Sequence, residues 1–169
     1  MGQQAIALAD TERARLVRRG LRLEYFTVVY NSLEGLIAVA AGWLAGSIAL
    51  TGFGFDSAIE VTSGAILLWR LQADTDERRR RYTEQISLSI VGACFLLLAA
   101  YVVYESVSLL LRREPPDHSI VGIILACVSL AVMPLLFRAK RRVAREIGSA
   151  AMIADARQTE FCAYLSAIL

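Results

Sequence analysis

What most constrains this chain is a series of apolar runs, each about as long as a bilayer's hydrocarbon is thick, separated by short blocks that hold most of the charge. A helix rises about 1.5 Å per residue, so roughly 20 residues cross about 30 Å of lipid. The runs lie at about 25–44, 51–69, 85–111, 120–137 and 147–169. Helices satisfy every backbone polar group without water, which is what a lipid environment demands. The sequence therefore predicts an all-α, polytopic integral membrane helix bundle with five spans. A water-soluble globule does not suit 169 residues of which 56% are hydrophobic. The fifth run reaches Leu169 with no polar or basic anchor behind it, so a sixth helix is expected to follow.

The charge is nearly balanced, 18 basic against 16 acidic residues, and its placement matters more than its sum. Arg15, Arg18, Arg19 and Arg22 sit in an N-terminal amphipathic segment, residues 1–23, which is expected to lie on the membrane surface. Arg78 to Arg81 occupy a polar loop at 72–84, and Arg138, Lys140, Arg141, Arg142 and Arg145 a second basic loop. If each run crosses once, these three blocks share one side, and the positive-inside rule makes that side, with the N-terminus, cytoplasmic. Arg112 and Arg113 are outvoted on the other. The expected location is the cell membrane, multi-pass. As topology signals the Arg clusters imply no nucleic-acid partner. Nor do the first run's Asn31 and Glu34, with no small-residue cleavage pattern behind them, suit a signal peptide.

Charges inside a span cost about 2.5 to 3.5 kcal/mol each on insertion scales, so each needs a partner, a wet cavity or a role. Glu34, Asp56, Glu60, Glu105, Asp155, Arg157 and Glu160 all fall inside the runs. Asp56 and Glu60 are four apart and share a helix face, where two carboxylates repel unless a cation sits between them. Counting inward from Arg70 and from Ile147 at the helical rise puts Glu60 at about 15 Å and Asp56 at about 21 Å, against Gln158 at about 16 Å and Cys162 at about 22 Å. The two i, i+4 pairs are level. Glu34, counted from Tyr25, comes to about 13 Å. The predicted metal site is thus Asp56, Glu60, Gln158 and Cys162, with Glu34, Asn31 and Asp155 as further candidates. Cys94 and Cys127 read as apolar filler, His118 as a solvated loop residue, and Asp155 with Arg157 as either an interfacial salt bridge or a gate.

Beyond chemistry, the residues resemble a family. Ala45-Gly46-Ser47-Ile48-Ala49-Leu50, leading into Gly54-Phe55-Asp56-Ser57-Ala58-Ile59-Glu60, is similar to the second-helix signature of the cation diffusion facilitators, in which a His or Asp is followed four residues later by Asp. Ala154 to Cys162 resembles their fifth-helix signature, with Gln158 and Cys162 where His and Asp normally stand. Tyr30-Asn31-Ser32-Leu33-Glu34 and Gly52-Phe53-Gly54-Phe55-Asp56 look like a bacterial branch akin to the animal transmembrane protein 163. The resemblance implies six helices, a homodimer, and efflux of zinc or a similar divalent cation from the cytoplasm in exchange for protons. Manganese, iron and cadmium are the other cations considered. The family's cytoplasmic C-terminal metal-binding domain is not expected within these 169 residues.

The expected function is thus a divalent transition-metal transporter, with the metal as substrate, protons as counter-ions and the lipid bilayer as surroundings. The rival reading is a non-transporting membrane protein, a metal sensor or a partner-stabilising subunit, with a degenerate site. An enzyme is not expected, because the chain has no HExxH, Ser/His dyad or phosphate-binding glycine loop.

Overall fold

The computed structural model describes residues 2–74, 76–112 and 119–168, and they form five helices: α1 (Gly2–Ala45), α2 (Ile48–Gln72), α3 (Glu77–Arg112), α4 (Ile120–Ile147) and α5 (Ala150–Ile168). No strand occurs among the described residues. His118, the Pro115-Pro116 pair and the side chain of Glu105 lie outside them.

Two helical hairpins make the body of the bundle. The α1–α2 turn closes through Gly46 at φ 66°, and the α4–α5 turn through Gly148 at φ 68°, backbone that suits glycine because no Cβ collides there. Ser47 and Ser119 cap α2 and α4 by accepting from Leu50 N–H and Gly122 N–H. α1 and α2 lie close because glycines face each other: a Cβ on Gly54 would stand 3.0 Å from the Gly35 carbonyl oxygen. Contacts run α1 to α2, α2 to α5, α5 to α4 and α4 to α1, which closes a ring of four helices. α3 leans on the outside of that ring against α2 and α5. Its buried residues, Thr83, Ser87, Val91, Cys94 and Leu98, form one stripe, and the rest of the helix is largely exposed.

The distribution of polarity is inverted relative to a protein in water. Glu24, Glu60, Lys140, Asp155 and Gln158 are fully buried, while Trp43 is 85% and Leu44 89% exposed, with Leu36, Leu96, Leu110 and Leu135 similarly bare. Surface of this kind is stable only against hydrocarbon. Three helical segments, Thr11–Ala45, Glu77–Ser108 and Ile120–Ile147, are long and apolar enough to cross a membrane by length and composition. The polar residues that form the interior lower the hydropathy of α2 and α5.

Two loop boundaries change, while one helix runs from Gly2 to Ala45 and makes the N-terminal segment continuous with the first apolar run. Within it Val17 joins a core with Leu67, Leu71, Val143 and Met152, and Gly20 faces the same residues. The 72–84 loop is shorter than expected, because α3 starts at Glu77 and takes Arg78 to Arg81 into its first turns. The second basic loop is not a loop: α4 continues to Ile147, and Lys140 and Arg145 are helical. Arg and Lys are good helix formers, so charge ended the apolar run without ending the helix.

At the Arg-rich end a charged collar ties the elements together. Arg70 donates to Glu84 Oε2 at 2.5 Å and to Asp74 Oδ1 at 3.0 Å, and Arg13 reaches Asp74 through Nε at 2.8 Å and the Ile147 carbonyl at 3.3 Å. Glu84 also accepts from Ser149 Oγ at 3.0 Å and Ala151 N–H at 2.8 Å, capping the N-terminus of α5. One network thereby joins the start of α1, the ends of α2 and α4, and the starts of α3 and α5.

Candidate metal centre

Helical periodicity builds the site. The buried stripe of α1 is Val17, Gly20, Glu24, Thr27, Asn31, Glu34 and Ala38, alternating three and four residues apart, which keeps one face inward. That of α4 is Ala126, Ser129, Met133, Leu136, Lys140, Val143 and Ile147, on the same rhythm. α2 contributes Asp56, Ser57, Glu60 and Ser63, and α5 contributes Asp155, Gln158, Thr159, Cys162 and Ser166, all buried. A polar column therefore runs down the middle of the four-helix ring.

Asp56, Glu60 and Cys162 meet in this column, with the Cys162 thiol lying against both carboxyl groups. Glu60 Oε1 accepts from Thr159 Oγ1 at 2.6 Å, whereas Glu60 Oε2 and Asp56 Oδ1 are buried without a hydrogen-bond partner. Gln158, one turn before Cys162 on the same helix, is fully buried with neither its oxygen nor its nitrogen satisfied. Asn31 donates to the Thr27 carbonyl at 3.0 Å and leaves Oδ1 unpartnered. A buried polar atom without a partner costs on the order of 1–3 kcal/mol, and buried polar groups are otherwise almost always paired. These unpartnered polar atoms lie on three helices, α1, α2 and α5. Among the described residues no group of three or more His, Cys, Asp or Glu side chains is placed to hold a metal ion.

The remaining candidates separate into two groups. Glu34 lies on the side away from the Arg-rich end, accepting from Tyr30 OH at 3.0 Å and Ser57 Oγ at 3.2 Å, with Ser129 of α4 facing it. Its carboxyl group is met by hydroxyls. Asp155 lies on the opposite side of the Asp56–Glu60 level and does not pair with Arg157, which is exposed. Asp155 instead holds Lys140 Nζ at 2.6 Å and accepts from Ser63 Oγ at 2.7 Å. Cys94 is buried and Cys127 exposed.

Sequence reading missed Glu24, Thr159, Ser129 and Lys140. Glu24 precedes the expected first span, and Lys140 stands in a basic run where it counted as a topology signal. The available clue was the three-four rhythm: extended from Ala126 and Ser129 through Met133 and Leu136, it lands on Lys140.

Fold and interior together define a polytopic membrane helix bundle whose core buries carboxylate, amide and thiol groups. Residues 25–169 match the cation efflux transmembrane domain, and the chain belongs to that family. Among curated proteins it is 28% identical over 138 residues to the magnetosome protein MamB of Magnetospira sp. (strain QH-2), covering 78% of this chain and 46% of that one. It is 30% identical over 121 residues to MamB of Paramagnetospirillum magneticum, covering 68% of this chain and 41% of the relative. The chain thus spans less than half the length of these relatives. No solved structure matches it at a significant level.

Proposed function

We propose that this protein carries a divalent transition-metal cation out of the cytoplasm in exchange for protons. What supports the reading is the set of buried polar atoms without a partner on α1, α2 and α5, namely Asp56 Oδ1, Glu60 Oε2, Asn31 Oδ1 and the Gln158 amide, with the Cys162 thiol beside Asp56 and Glu60. A cation arriving there removes the repulsion between Asp56 and Glu60 and satisfies atoms that have no other partner. Oxygen ligands suit manganese, a thiolate suits zinc, cadmium or iron, and zinc is the reading favoured for the mixed set. Release follows when protons replace the metal on the carboxylates. The work is translocation, with no covalent chemistry.

In this reading α1 to α5 each span the bilayer, within a transmembrane domain at 24–169, and the Arg-rich end with the N-terminus is cytoplasmic by the positive-inside rule. The protein is a homodimer, and the exposed face of α3 is the surface favoured for the second copy. Light scattering in mild detergent should give twice the chain mass.

Zinc and manganese flux into proteoliposomes tests the proposal. Wild-type protein should move metal, and Asp56→Ala or Glu60→Ala protein should not, although both remain inserted. Normal flux from Asp56→Ala vesicles would sink the assignment. The rival, a non-transporting sensor or partner-stabilising subunit, is favoured by Gln158 and Cys162 standing where the family resemblance implies His and Asp. It predicts metal binding without flux from wild type.

A further inference from the structure

Between the Asp56–Glu60 level and the Arg-rich collar lies a second charged group, drawn one residue from each helix of the ring. Glu24 comes from α1, Ser63 from α2, Lys140 from α4 and Asp155 from α5, and all four are fully buried. Lys140 Nζ stands 2.6 Å from Asp155 Oδ2 and 2.9 Å from Glu24 Oε2. Ser63 Oγ donates to Asp155 Oδ1. Glu24 Oε1 has no partner, and Glu24 Oε2 meets the ammonium outside hydrogen-bond geometry. Two carboxylates therefore face a single positive charge, and Glu60, linked to α5 through Thr159, is near enough to add to the imbalance. A buried ion pair is stable when charge and hydrogen bonds are both complete. Here neither is.

We propose that Glu24, Asp155 and Ser63 form a second cation site, suited to a hard divalent ion, and that the Lys140 ammonium occupies it in this conformation. The group already binds a cation, with ligands from three helices and the occupant from the fourth. All its donors are oxygen, the set that manganese or magnesium prefers. A divalent ion would balance both carboxylates where the ammonium balances one, and it would give Glu24 Oε1 a partner. Lysine suits the part of a displaceable occupant: it is a compact charge on a flexible four-carbon stem. Because the ammonium is tethered, its local concentration is far above that of any free ion, so the site opens only when Lys140 withdraws. A metal travelling between the Arg-rich end and the midplane passes this point and competes with Lys140 for it.

The inference stands beside the midplane assignment, and the experiment keeps the two apart. The full protein in lipid nanodiscs, carrying Asp56→Asn and Glu60→Gln to silence the midplane, is dialysed against manganese alone and its bound metal counted. Adding Lys140→Met should raise the count by one ion per chain, and adding Asp155→Asn as well should remove that gain. A failed midplane assignment would raise all the counts alike and leave the difference intact. Lys140→Met leaves two buried carboxylates unopposed, so its melting temperature should fall without metal and recover in manganese, by linkage of binding to folding. An unchanged count in folded protein overturns the proposal, and so does a Lys140→Met protein that stays unfolded in saturating manganese.

Discussion

The collar and the midplane group are both rich in buried charge, yet they are finished to different degrees. In the collar Arg13 and Arg70 face Asp74 and Glu84, two charges against two, and the carboxylates are further met by Ser149 and a backbone N–H. Deeper in the ring, Asp56 and Glu60 share one helix face, neither has a salt bridge among the described residues, and one oxygen of each lacks a hydrogen-bond partner. Burial alone therefore does not identify a functional charge. The informative property is incompleteness: a saturated network holds helices together, and on the proposed reading an unsaturated one receives an ion.

The comparison breaks most visibly at Arg70. Arg70→Ala leaves Asp74 and Glu84 without their shared buried partner, and breaking such a pair by removing one member costs about 3–5 kcal/mol. Thermal unfolding in detergent should show a large fall, and metal binding should decline only in proportion to the folded fraction. The next effect is opposite in kind. Asp56→Asn should abolish metal flux while the melting temperature without metal stays level or rises, because an unpaired buried carboxylate has been removed. A large loss of apo stability would place Asp56 in the same class as Arg70.

A smaller change is expected at Cys162. Cys162→Ser exchanges a soft ligand for a hard one of similar shape, so zinc and cadmium binding should weaken relative to manganese with little effect on folding. Metal should protect Cys162 from alkylation and leave the reactivity of Cys94 and Cys127 unchanged, which peptide mapping reads directly. Glu34→Gln should cost less flux than Asp56→Asn, because Tyr30 and Ser57 already serve that carboxylate. The smallest effect belongs to the pair Glu77 and Arg81, four residues apart on the exposed first turns of α3. Arg81→Gln should leave the melting temperature within measurement error.

The five helices were legible because an apolar run of spanning length has few alternatives, and the shared face of Asp56 and Glu60 was legible because four-residue spacing fixes it. What stayed hidden was where helices end. Arg78 to Arg81 and Arg138 to Arg145 stop the hydropathy signal yet continue the helix, and nothing local separates an arginine in a loop from one on a helix that has left the lipid. The collar was hidden for another reason: Arg13 and Asp74 are 61 residues apart, and only the folded ring brings them together. Lys140 combined both difficulties, a charged residue in a basic block whose partner on α1 lies more than a hundred positions away.

The ring's division into two hairpins has a mechanical consequence. The glycine contact of α1 with α2 makes one stiff half, and the tight Gly148 turn joins α4 to α5 in the other. The carboxylates Asp56 and Glu60 ride on the first half, and Gln158 and Cys162 on the second. On the proposed reading a captured ion is thus also a clasp across the seam, and spreading the halves by an ångström or two would strip it of half its ligands. Grip and gape then become a single variable, so anything that pries the halves apart loosens the cargo, and cargo that holds firmly keeps them shut.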